Sequence, residues 1–210
     1  MEKNIYIFPG LANGPEHLDT LKLDGKKIII TYPNFELNED KELYLQKIAE
    51  QITDENPIFV GFSLGGILAL HVAKYKKPEI FFLISSGKER KELGWLFKFL
   101  VLVKPKGKTV LFFSKIVLMF MSPKTREISQ NRINKASQNF LNLLFGFFSY
   151  FPEDVNSKRL IRIHGKKDKY FPFNKIKNPD YVLDGGHYLL DSFPDKLSEI
   201  INKELSRTVL

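Results

Sequence analysis

Ile58-Phe59-Val60-Gly61-Phe62-Ser63-Leu64-Gly65-Gly66-Ile67-Leu68-Ala69-Leu70 decides the fold. Its opening residues are an apolar run of the kind that forms a strand covered on both faces. From Gly65 onward it reads as an apolar helix. Between the two stands Gly61-Phe62-Ser63-Leu64-Gly65, a serine on a sharp strand-to-helix turn. Such a turn leaves almost no room for side chains two residues before and after the serine, and glycine meets that demand. The helix N-terminus favours negative charge near the hydroxyl. A serine that merely caps the helix is the competing reading.

Similar short apolar runs recur on either side, at Ile5–Phe8, Ile28–Thr31, Ile80–Ile84, Leu160–Ile163 and Tyr181–Leu183. Helical spacing lies between them. Leu45, Ile48, Ala49 and Ile52 fall at i, i+3, i+4 and i+7; Ile67, Leu70 and Ala73 mark a second helix, and Leu197, Ile200 and Ile201 a last one. The alternation predicts an α/β protein with about six mainly parallel strands and helices on both faces. It stops at Ser85-Ser86-Gly87 and resumes near Ser157. The stretch between is rich in Phe and Leu and reads as helical, which predicts a core of residues 1–87 and 157–210 and a helical cap of residues 88–156 inserted before the penultimate strand. Trp95, Phe112 and Phe120 in that segment are candidates to line a long apolar pocket.

Charge singles out the same segment. The chain has 32 Lys and Arg against 24 Asp and Glu, a net +8. Lys88 to Lys158 holds 13 of the cations and 5 of the anions, which leaves 19 of each elsewhere. One reading is a solvated face. The other is attraction to an acidic carrier protein, an anionic substrate or an anionic membrane surface. Nucleic acid fits poorly, because the aromatics read as buried rather than interleaved as stacking platforms. With no cysteine, disulfides, thiolate metal sites and cysteine nucleophiles are excluded, and a cytoplasmic location is compatible. Met1–Phe8 is far short of a secretory apolar region. Leu93–Val103 and Thr109–Met121, interrupted by Lys98 and Lys115, are too short to span a bilayer.

Two further stretches bear on chemistry. Leu160-Ile161-Arg162-Ile163 runs into His164-Gly165-Lys166-Lys167-Asp168-Lys169-Tyr170-Phe171-Pro172, and Tyr181-Val182-Leu183 runs into Asp184-Gly185-Gly186-His187. With the serine turn, these resemble the nucleophile, acid and histidine loops of the α/β-hydrolase superfamily, in that family's order. The resemblance extends from Tyr6 to the last helix and leaves the middle segment unaligned. It implies a small cap-bearing serine esterase or thioesterase, with Ser63 as nucleophile, His187 as base and Asp168 as the acid that orients it. Asp184 and Asp191 remain alternatives for the acid. The oxyanion donors would be the backbone N–H groups of Leu64 and of Leu11, in the loop Pro9-Gly10-Leu11-Ala12-Asn13-Gly14, where many relatives have His-Gly. No metal or organic cofactor is implied. His164 is expected to shape its loop, His71 to be a surface or satisfied residue, and His17 is a candidate for the pocket.

The Pro9–Gly14 loop lacks the third glycine of a dinucleotide fingerprint and the Lys-Ser/Thr of a phosphate loop. The expected activity is hydrolysis of esters or thioesters with a hydrophobic acyl group. The alternatives are C–C hydrolysis, lyase or acyltransferase chemistry on the same triad, or an acyl-ligand-binding protein without turnover.

Overall fold

The apolar runs lack polar alternation because both faces of their sheet are covered. The computed structural model describes residues 3–10, 15–33, 39–103, 126–127, 146–147, 150–152 and 154–207. Among these residues β1 (Asn4–Phe8), β2 (Lys26–Ile29), β3 (Ile58–Phe62), β4 (Ile80–Ile84), β5 (Arg159–Gly165) and β6 (Tyr181–Leu183) form one sheet in the order β2-β1-β3-β4-β5-β6. Every pairing is parallel. Successive side chains turn to opposite faces. Tyr6, Phe8, Phe59, Phe81 and Leu83 share one cluster with α2 (Lys41–Ala49) and α3 (Leu64–Val72). Ile5, Ile7, Val60, Phe82 and Ile163 share the other with α1 (Pro15–Leu18), α5 (Leu189–Ser192) and α6 (Pro194–Ser206).

β2 begins two residues before the run that marks it in the sequence, because its ladder with β1 starts at Asn4 opposite Lys26. It is an edge strand, where lysines do not have to be buried and discourage pairing with another chain. Lys27 folds its ammonium onto the carbonyls of Leu18 and Leu21.

The connection from β4 to β5 runs from Ser85 to Lys158, and most of the expected 88–156 cap lies outside the described residues. Its two roots are described. The outgoing root makes a short turn at Arg90–Glu92 and enters α4 (Trp95–Val103). There Glu92, fully buried, takes a two-pronged hydrogen bond from Arg162 of β5 (3.0 and 2.7 Å). It also accepts the Lys88 N–H, while Arg162 donates to the carbonyl of Lys177. On the returning root the Phe147 ring packs on His71 of α3, and Asn156 donates to the carbonyl of Ala73. No helix among the described residues is long and apolar enough to cross a membrane.

Candidate active site

The strand order places a topological switch between β1 and β3, the position where an open parallel sheet leaves a crevice at its carboxyl edge. Ser63 follows β3 directly and has φ 50° and ψ −120°. This positive φ is an unfavourable conformation for a residue with a Cβ. The glycines show why the turn needs this sequence. A Cβ on Gly61 would stand 2.6 Å from the Cα of Gly66, and one on Gly65 would stand 2.1 Å from the carbonyl oxygen of Phe8. The turn is thus pressed against the end of β1. It is held from the other side as well: Ser63 N–H donates to the Ile84 carbonyl (3.0 Å), and the Ser86 hydroxyl donates to the Ser63 carbonyl (2.7 Å).

The structure brings Ser63, His187 and Asp168 together. His187 Nε2 lies 2.8 Å from Ser63 Oγ, and His187 Nδ1 lies 2.9 Å from Asp168 Oδ2. A carboxylate only accepts, so in the neutral ring Nδ1 carries the proton and Nε2 offers its lone pair to the serine hydroxyl. Asp168 is nine-tenths buried or more, and its Oδ1 accepts the N–H groups of Tyr170 (2.8 Å) and Phe171 (3.0 Å). Burial pushes its carboxyl up, but the charge and hydrogen bond of His187, with lesser help from His164 and the Phe171 N–H, hold it below the ordinary carboxylate value. Such a series can raise the nucleophilicity of a hydroxyl that is inert by itself at neutral pH.

The other sequence candidates fall elsewhere. Asp184 is exposed and pairs with Lys167 (2.9 Å). Asp191 approaches Nδ1 of His17 at 3.5 Å. His164 is buried, and its Nε2–H donates to the carbonyl of Phe171 (2.8 Å), so it braces the acid loop. Burial lowers its basicity, against the opposing pull of Asp168. His71 is also buried and satisfied, by the carbonyl of Tyr150 (3.0 Å). Leu64 is the first residue of α3, so its N–H precedes the helical ladder. Leu11, Phe112 and Phe120 lie outside the described residues. Trp95 is 71% exposed.

Aromatic rings surround the imidazole. Phe171 stacks on it at 5.8 Å, Tyr170 lies 4.7 Å away and Tyr188 meets it edge-on at 5.2 Å. Burial raises the phenol pKa of both tyrosines, so both rings are neutral at ordinary pH. Phe97 of α4 closes this wall from the connection, 5.7 Å from Tyr170 and 6.1 Å from Phe171, while the Gly94 N–H donates to the carbonyl of Tyr170 (2.7 Å). Sequence reasoning assigned none of these rings a role. Tyr170, Phe171 and Tyr188 adjoin Asp168 and His187 in sequence, which is a usable signal. Phe97 has none, standing in a helix that is apolar nearly all round.

This is the α/β-hydrolase fold, with hydroxyl, carboxylate and imidazole following its strands in the order of that fold. No family model and no curated protein matches the sequence. Solved structures do match the fold. A carboxylesterase of the ammonia-oxidizing thaumarchaeon Nitrososphaera gargenis superposes with TM-score 0.67 at 14% identity, covering 99% of this chain and 91% of that one. A bromoperoxidase from Bacillus anthracis gives TM-score 0.66 at 17% identity, covering 98% and 92%. YbtT, a type II thioesterase of the yersiniabactin biosynthetic pathway, gives 0.62 at 12% identity, covering 95% and 92%. Their named activities differ, so the function of this chain has to be argued from its own site.

Proposed function

We propose that the protein is a serine hydrolase that cleaves carboxylic esters or thioesters with a hydrophobic acyl group. One observation carries the reading: the unbroken hydrogen-bonded series from Asp168 through His187 to the hydroxyl of Ser63, on a strained strand-to-helix turn. Ser63 Oγ attacks the acyl carbon as His187 Nε2 takes its proton, and Asp168 stabilises the imidazolium. The N–H of Leu64, with that of Leu11, receives the developing oxyanion. Collapse breaks the bond to the alcohol or thiol, which leaves with the proton from His187. Water, deprotonated by the same ring, then releases the acid from acyl-Ser63.

The hydrophobic acyl preference is supported by the aromatic wall beside His187 and by the apolar composition of residues 88–156. We assign these residues to a helical cap in which Phe112 and Phe120 line the acyl site. The cationic excess of the connection suits an anionic partner.

Labelling with a fluorophosphonate and turnover of p-nitrophenyl esters and acyl thioesters of graded length test the reading. Ser63→Ala should abolish labelling and lower turnover by several orders of magnitude. kcat/KM should climb a few-fold per methylene, since a buried CH₂ contributes about 0.8 kcal/mol at most. Near-normal turnover by Ser63→Ala would sink the assignment, and a flat chain-length profile would remove the acyl pocket.

A further inference from the structure

α4 has two apolar sides. Phe97 faces inward, 9% exposed, against Tyr170 and Phe171. Residues two apart on a helix do not share a face, whereas those spaced i, i+4 and i+7 form a single stripe. Trp95, Phe99 and Leu102 have that spacing and lie opposite Phe97 on the helix. They are 71%, 45% and 76% exposed. A pocket wall is concave and shields its side chains, so exposures this high at Trp95 and Leu102 belong to an outward surface. Monomeric soluble proteins rarely leave large apolar side chains clustered in this way without a use.

We infer that this stripe docks the protein on an anionic membrane surface, with Trp95 and Leu102 entering the boundary between headgroups and acyl chains. Charge complementarity selects the occupant. Lys98, half-buried, stands three residues after Trp95 and four before Leu102, beside the stripe, and Arg90 is exposed just before the helix. The whole net charge of the chain lies between Lys88 and Lys158. Lys and Arg next to Trp, Phe and Leu on one short helix is the composition of an interfacial anchor. A Trp ring suits that depth, apolar in body with one polar N–H. A second copy of the chain would bring like charges together. An acidic protein would answer the cations but needs a shaped pocket for the stripe, whereas lipid chains adapt to any side chain.

The inference adds a partner to the proposed hydrolase, which would then meet its substrate at a lipid surface. Its test needs no turnover, so it stands or falls separately from the hydrolase reading. Trp95 is the sole tryptophan, so the intrinsic fluorescence of the full chain reports the stripe directly. Vesicles of phosphatidylcholine mixed with phosphatidylglycerol should blue-shift the emission and make it quenchable by brominated acyl chains; pure phosphatidylcholine should do so much less.

Leu102→Ser should weaken vesicle binding at least tenfold with an unchanged circular dichroism spectrum. Lys98→Glu should weaken it about fivefold or more, as expected for one cation near an anionic surface, and added salt should mimic that change. Emission unaltered by anionic vesicles would overturn the proposal. So would a blue shift that follows protein concentration, or an acidic carrier protein, in place of lipid; either result would give the stripe to a protein partner.

Discussion

The buried pair of Glu92 and Arg162 joins the outgoing root of the β4–β5 connection to the strand that leads to Asp168. The two side chains are 0% and 4% exposed and share two hydrogen bonds. Removing one partner, as in Glu92→Leu or Arg162→Met, strands the other charge in the core and should destabilise by about 3–5 kcal/mol. For a domain of this size that corresponds to on the order of 10 °C in Tm.

The double variant removes both charges and leaves two backbone groups without their partners, the Lys88 N–H and the Lys177 carbonyl. At about 1–3 kcal/mol for each unsatisfied group, and less where water reaches it, the double should lose roughly 2–4 kcal/mol. That is well short of the roughly 6–10 kcal/mol reached by adding the single losses. Urea denaturation of the four proteins, at matched m-values, measures the difference. A double variant as unstable as the sum of the singles would refute the coupling. Single variants that lose less than about 1 kcal/mol would show that the pair is not desolvated as described.

Gly65→Ala should destabilise by at least the 1–3 kcal/mol typical of overpacking, because its Cβ meets the backbone oxygens of Phe8 and Pro9 rather than movable side chains. Gly186→Ala, whose Cβ would find its nearest neighbour 3.9 Å away, should stay within about 0.5 kcal/mol in the same urea titration. His71 is held down to about 4 by burial, below the ordinary value near 6.5, so between those values the unfolded chain binds a proton that the folded chain refuses. Stability should therefore be complete above pH 6.5 and fall as pH drops toward 4, by up to about 3 kcal/mol. Urea midpoints at pH 7.5 and 4.5 should show a slope that His71→Gln reduces; His164, also depressed, retains the rest. A slope unchanged in His71→Gln would refute the assignment.

Much of this was legible in the sequence for a physical reason: the parallel sheet is buried on both faces, so its strands appear as bare apolar runs. Asn4–Phe8, Ile58–Phe62 and Ile80–Ile84 could be found within a residue. β2 was misplaced by two residues because an edge strand tolerates Lys26 and Lys27. The serine turn was readable because steric exclusion leaves few choices at Gly61 and Gly65. The Glu92–Arg162 pair was not: Glu92 stands in Lys88-Glu89-Arg90-Lys91-Glu92, a run that reads as solvated, and only the fold brings Arg162 to it from 70 residues away. The two faces of α4 were equally hidden, since a helix apolar nearly all round gives no period from which to orient it.

The two roots of the connection meet the elements that hold the candidate site. The outgoing root rests on the acid loop, through Gly94 on the carbonyl of Tyr170 and Phe97 on the rings that flank His187. The returning root rests on α3, the helix that follows Ser63, through Phe147 and Tyr150 on His71. A shift of the first root would be felt at the imidazole and a shift of the second at the helix behind Ser63. The cation-rich connection is therefore braced against both halves of the Ser63–His187 hydrogen bond. Substitutions at Phe97 or Phe147 should accordingly alter kcat even with substrates too small to touch either ring. If such substitutions changed only KM for long acyl chains, the roots would be walls of the acyl site and not supports of the site's geometry.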